Sequence, residues 1–256
     1  MRGELALSIS TLLGFVLTLV RVSGVFVFVP LPGVTSVLSP ARIMLALGIT
    51  IALFPEWPQV AGYPSAGQFV LWILVEAALG VGIGLSVAFL TEAFSVGAQV
   101  MGLQMGYGFA TTVDPNTQVD STVLIVFAQV AAGLLFFASG LDREILRVFA
   151  RSLETCPAGS FAVGRAAAGQ ILALGSNMFS TGLRLALPVI AVLVMIDISL
   201  ALLGRVNAQL HLITVAFPVK MIVGLALLGW LALLFPVLLR AGADATLRAA
   251  QALIAR

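Results

Sequence analysis

TVLIVFAQVAAGLLFFASGL, residues 122–141, runs for twenty residues without one charged side chain. A helix of that length, rising about 1.5 Å per residue, crosses the roughly 30 Å hydrocarbon core of a bilayer. Strands of globular proteins are shorter, usually 3–10 residues. The stretch therefore reads as a membrane-type helix, and the rest of the chain agrees with it. Of the 256 residues, 61% are hydrophobic and only 9% are charged, and the mean hydropathy is +1.14. Soluble domains carry roughly 25% charged residues, so a water-soluble enzyme is excluded. An integral membrane protein remains, or a subunit buried in a larger apolar assembly. The formal charge is +2, and no block of Lys and Arg offers a grip on nucleic acid. The single cysteine, Cys156, allows no internal disulfide and no cysteine-based metal site, and the single histidine, His211, rules out a two-histidine zinc motif.

On the N-terminal side, residues 5–31 form an apolar run interrupted by Arg21. Arg2 is offset by Glu4 and no small-x-small cleavage site follows, so the run reads as a retained helix and not a signal peptide. Pro32-Gly33 ends it. Residues 40–54 form a second run, too short to cross upright, and residues 55–67 a turn-rich loop that places Trp57 and Tyr63 at an interface. Residues 68–94 form a long third run containing Glu76 and Glu92.

On the C-terminal side, charge is concentrated in residues 142–165. Arg143, Arg147 and Arg151 recur every four residues on one helical face, with Leu146, Phe149 and Leu153 on another, which predicts an amphipathic connector. Residues 166–178, 179–203 and 210–239 are apolar again, and residues 240–256 read as a tail helix. The expected fold is all-α and polytopic, with about five to seven hydrophobic helices, several of them short or kinked. We read residues 1–256 as a single domain. Residues 1–141 are its N-terminal helices, with a loop at about 106–122; residues 142–165 are the connector; residues 166–256 are a helical hairpin region and tail.

Gly80-Val-Gly-Ile-Gly84 lacks the setting of a nucleotide-binding loop, because it lies within an apolar run and not after a strand. Gly80 and Gly84 instead predict a face on which two helices approach closely. Arg21, Glu76, Arg184, Asp197, Arg205 and Lys220 fall within apolar runs, where each charge costs at least a few kcal/mol unless paired or watered. A transporter would use such groups as an ion path; an assembled subunit would pair them across helices or subunits. Lys220 lies two residues after Pro218, within reach of carbonyls that the proline frees or of a carboxylate such as Asp197. No catalytic constellation can be drawn, and no cofactor or metal is expected. In residues 97–115, Met101, Met105 and Phe109 share a face, after which Asp114-Pro115 must break the helix. A polar stretch then precedes residue 122.

Gly102-Leu-Gln-Met-Gly-Tyr-Gly-Phe-Ala110 followed by Asp114-Pro115 resembles the central block of the FliR/SctT family of type III secretion export-gate membrane subunits. Arg21 with Pro30 and Pro40-Ala-Arg42 resembles the family's first helical pair. Leu187-Pro188 through Asp197, then Leu203-Gly-Arg205 and Phe217-Pro-Val-Lys220, resembles its C-terminal block. The chain departs from the family at Ala208, Leu210, His211 and Ala216, which puts in doubt the local contacts of that last block. The Gln-Met-Gly block favours the flagellar branch.

The resemblance implies a structural, non-enzymatic subunit of the bacterial inner membrane and flagellar basal body. It would pack with FliP-like and FliQ-like subunits in a helically arranged gate, beside an FlhB-like subunit and membrane lipid. Unfolded flagellar proteins would pass through the gate. It also implies a pore plug formed by Met105, Gly106, Tyr107, Gly108, Phe109, Asp114 and Pro115. The alternative is a stand-alone secondary transporter using Glu76, Arg184, Asp197 and Lys220, although the matched repeats usual in such proteins are not evident.

Overall fold

The computed structural model describes residues 9–32, 39–58, 60, 64–107, 122–161, 164–206 and 212–254. Among them the chain is all-α, with no strand. In chain order the helices are α1 (Ile9–Phe28), α2 (Pro40–Ala52), α3 (Ala66–Met105), α4 (Thr122–Ala138), α5 (Leu141–Thr155), α6 (Arg165–Val206), α7 (Leu212–Ala232) and α8 (Phe235–Ile254), with a 3-10 turn at Phe54–Glu56. Three helices are long and apolar enough to cross a membrane, or up to five crossings if two bent pairs each count as one.

The helix ends follow local chemistry. Ser39 caps α2 by accepting from the Arg42 amide, and Pro40 occupies the first turn, where its missing N–H costs nothing. The run expected over 68–94 continues instead to Met105, giving a helix of 40 residues, because no proline or polar cluster interrupts residues 95–105. Residues 166–203 likewise fall within one helix, Arg165–Val206, of 42 residues, continuous through Pro188. At about 60 Å each, α3 and α6 are twice as long as the hydrocarbon core is thick. The run expected over 210–239 is broken instead: Leu233 and Leu234 donate to carbonyls three residues back, and Pro236 starts α8 in its first turn. α7 and α8 meet there at a bend of 55°.

Two compact units divide the chain. The first comprises Met1–Phe89, Gly140–Leu174 and Ala243–Arg256, and the second Leu90–Ser139 and Gly175–Gly242. In the first, Leu17, Val22 and Val25 of α1, Leu79, Ile83 and Val87 of α3, and Ile145, Val148 and Phe149 of α5 are buried. α5 is amphipathic as expected, with Arg143, Arg147 and Arg151 exposed. Leu146 is exposed with the arginines, however, and Leu141, Ile145 and Val148 complete the buried face. In the second unit, Phe94 and Phe235 meet edge to face at 4.9 Å, and Leu193 and Leu239 are buried.

Candidate functional site

Four of the six ionisable groups singled out in the apolar runs are brought together in two places, one in each unit. In the first unit a seam of small residues does this. A Cβ on Gly80 would stand 2.2 Å from the Arg21 carbonyl oxygen, and one on Gly84 would stand 2.7 Å from that of Val25. Glycine is required at both positions, and α1 and α3 lie backbone to backbone as the spacing predicts. One turn before Gly80, the same approach brings Glu76 to Arg21.

Arg21 and Glu76 are each only 1% exposed. The Arg21 Nε donates to Glu76 Oε2. Its Nη1 donates to the Ser152 carbonyl at 2.6 Å and to Ser152 Oγ at 3.2 Å, and its Nη2 donates to the Cys156 carbonyl at 3.0 Å. The second carboxylate oxygen, Glu76 Oε1, accepts from the Gly159 amide at 3.0 Å. The last carbonyls of a helix have no partner within it and carry the negative end of its dipole. Arg21 therefore neutralises Glu76 and caps the C-terminus of α5 together. Arg42 does similar work nearby: its Nη1 donates to the carbonyls of Phe26, Val27 and Val29 at the end of α1.

In the second unit, Lys220 Nζ of α7 donates to Asp197 Oδ2 of α6 at 2.9 Å, one of the two kinds of partner the sequence offered it. Gln104 Nε2, from the last turn of α3, donates to the same oxygen at 3.3 Å. Lys220 is 12% exposed and Asp197 42%. Two apolar contacts flank this cluster. Met105, fully buried, lies against Gly224, where an added Cβ would stand 2.5 Å from the Met105 side chain. Gly106 faces the Phe217 ring, 2.7 Å from where its own Cβ would be. Phe217, Lys220 and Gly224 share one face of α7, and the end of α3 rests on it.

That end is a Schellman cap. The Tyr107 amide donates to the Gly102 carbonyl at 3.1 Å and the Gly106 amide to the Leu103 carbonyl at 3.2 Å, with Gly106 at φ +91°. Gly106 is thus held at a left-handed position that other L residues adopt only under strain. Tyr107 is half-buried. The other residues of the expected plug, Gly108, Phe109, Asp114 and Pro115, lie outside the described residues. Arg184 and Arg205 are exposed on α6, and among the described residues no acid pairs with either.

Sequence reasoning singled out the four ions that pair but not Gln104, Ser152 or Gly159. Gln104 was visible as a polar residue in the Gln-Met-Gly block. Ser152 and Cys156 act on Arg21 chiefly through their carbonyls, and Gly159 acts on Glu76 through its amide; backbone groups leave no mark in a sequence. Among the described residues, no three His, Cys, Asp or Glu side chains come together as a metal site requires.

Residues 12–246 match the family described as bacterial export proteins, family 1. The chain is similar to the flagellar biosynthetic protein FliR of Escherichia coli (strain K12), at 31% identity over 82% of this chain and 81% of that protein. It is 33% identical to the protein of that name from Pectobacterium carotovorum subsp. carotovorum, over 76% of each chain. The one from Bacillus subtilis (strain 168) is 24% identical over 84% of each.

Proposed function

The chain belongs to the bacterial export proteins, family 1, and from that membership we propose that it is a structural subunit of the flagellar type III protein-export gate. In this reading it sits in the bacterial inner membrane at the flagellar basal body. It joins FliP-like and FliQ-like subunits, beside an FlhB-like one, in the channel through which unfolded flagellar proteins leave the cytoplasm. The observation that carries the reading is the family match over residues 12–246. It is supported by relatives that are flagellar biosynthetic proteins and by apolar helices with much of their surface uncovered. In the 39-residue apolar stretch Ala168–Val206, the most apolar window is only 22% buried within the chain. Such surface needs lipid or neighbouring subunits to cover it.

The subunit does no chemistry in this account. Its ion pairs hold helices in register, and the segment after Gly106 serves as the plug. A gate for unfolded chains must yield to a polypeptide yet hold back ions, which favours a seal that few buried contacts retain. Residues 107–121 supply Gly108 and Asp114-Pro115, which disfavour helix, and Phe109 as a bulky apolar stopper. Gly106 and Met105 anchor the segment's root on α7.

Native mass spectrometry of a gently solubilised complex tests the reading. A stable hetero-oligomer containing this chain and other export-gate subunits is the expected result. A monomer or homodimer with substrate-dependent ion flux would establish the secondary transporter instead. Glu76 is already committed to Arg21 and the Gly159 amide, an arrangement suited to holding helices and not to cycling a proton.

A further inference from the structure

We propose that Gln104, Asp197 and Lys220 form a latch that fixes the C-terminal turn of α3 to α6 and α7. Its effect on transport rests on the channel reading above, but the latch itself does not. Three helices converge on one oxygen, Asp197 Oδ2, which accepts from Lys220 Nζ at 2.9 Å and from Gln104 Nε2 at 3.3 Å. Two further contacts between α3's end and α7 depend on fit: Met105 on Gly224 and Gly106 against the Phe217 ring. The latch adds a polar element to those two fits. All three arms are side chains, so all can let go by rotamer change without unwinding a helix. The acid is 42% exposed, so water or a polar group can replace its partners when the latch opens. The Arg21 cluster offers no such exchange, because its acceptors include backbone carbonyls in a fully buried site.

The end of α3 is a rigid Schellman cap. A latch that lets it move displaces Gly106 and Tyr107 as one body, so Tyr107 reports the state of the latch. The test uses full-length protein in its assembled complex, in native membrane vesicles. Tyr107→Cys is labelled with a maleimide; the chain's own cysteine, Cys156, is buried and gives the background. Asp197→Asn and Lys220→Met should each raise the Tyr107→Cys labelling rate about fivefold, the range of a part-exposed ion pair. Gln104→Leu should raise it about twofold, as the loss of one weaker arm. The exchanged pair Asp197→Lys with Lys220→Asp should restore the parental rate, because Gln104 can turn its carbonyl toward the new lysine.

Unchanged labelling in the Asp197 and Lys220 variants, with normal amounts of complex, would overturn the latch. Failure of all three single variants to accumulate would also count against it, since the residues would then be needed for folding and not for holding a movable turn. Faster labelling without any rise in vesicle ion conductance would keep the latch and remove its link to gating. If in the same vesicles a chain with residues 108–121 shortened also stays tight, the plug reading has failed and the latch has not.

Discussion

Arg21 and Glu76 have side chains 2% exposed, whereas Lys220 and Asp197 are 12% and 42% exposed. The first pair is tied to backbone at both ends: carbonyls at the end of α5 on the arginine, and the Gly159 amide on the glutamate. Among the described residues the second is tied only to another side chain, Gln104. Similar pairings of ions thus serve different ends. A buried pair whose remaining hydrogen-bonding atoms end on backbone cannot rearrange without breaking secondary structure, so it fixes the fold. A part-exposed pair whose partners are all side chains can open at small cost, which suits a part that moves.

The largest expected effect breaks the first region. Arg21→Leu or Glu76→Leu leaves a fully buried charge unpaired and should cost about 3–5 kcal/mol. Thermal melting of the solubilised complex should show a loss of stable protein in either variant. Replacing both residues by Leu should recover part of that loss, because no lone charge remains, but the Cys156 carbonyl loses the donor that Arg21 supplied. Single variants as stable as the parent would erase the distinction between the regions.

A middling effect isolates the geometry beneath each pair. Gly80→Val must push α1 away from α3, since even a Cβ there meets the Arg21 carbonyl at 2.2 Å. It should cost about 2–3 kcal/mol. Gly106→Ala meets both the strain of φ +91° and the Phe217 ring and should cost about 1–3 kcal/mol. The two variants should fail differently under limited proteolysis, with new cleavage near α1 in Gly80→Val and near the end of α3 in Gly106→Ala.

The smallest effect belongs to the second pair. Lys220→Met should change the melting free energy by no more than about 1 kcal/mol, even though it loosens the end of α3. A loss as large as that of Arg21→Leu would show Asp197–Lys220 to be a second fold-fixing pair and would dissolve the comparison.

The all-α membrane class was legible from the composition and the long apolar runs, but residues 122–141 do not form the single span expected of them: α4 ends at Ala138 and bends by 68° into α5. The close approach at Gly80 and Gly84 was legible too, since small residues four apart in an apolar helix have one common use. Helix lengths were less so. Polar residues such as Gln99 and Gln104 did not stop α3, and Pro188 did not stop α6, whereas Pro236 began a helix inside a run expected to continue to residue 239. A helix held by its neighbours tolerates one missing hydrogen bond, and a proline in a first turn loses none. The pairing of Lys220 with Asp197 could be anticipated from the scarcity of charges. The capping of α5 by Arg21 could not, because its acceptors are carbonyls that any residue possesses.

Ion conductance shows most directly whether this chain lines a gated export channel and seals it with the segment after Gly106. Residues 108–121 are replaced by a four-residue Gly/Ser linker in the full chain, and conductance is measured in membranes in which the complex is shown to assemble normally. Assembled complexes should leak small ions well above the parental level. Assembled complexes with parental conductance would contradict it.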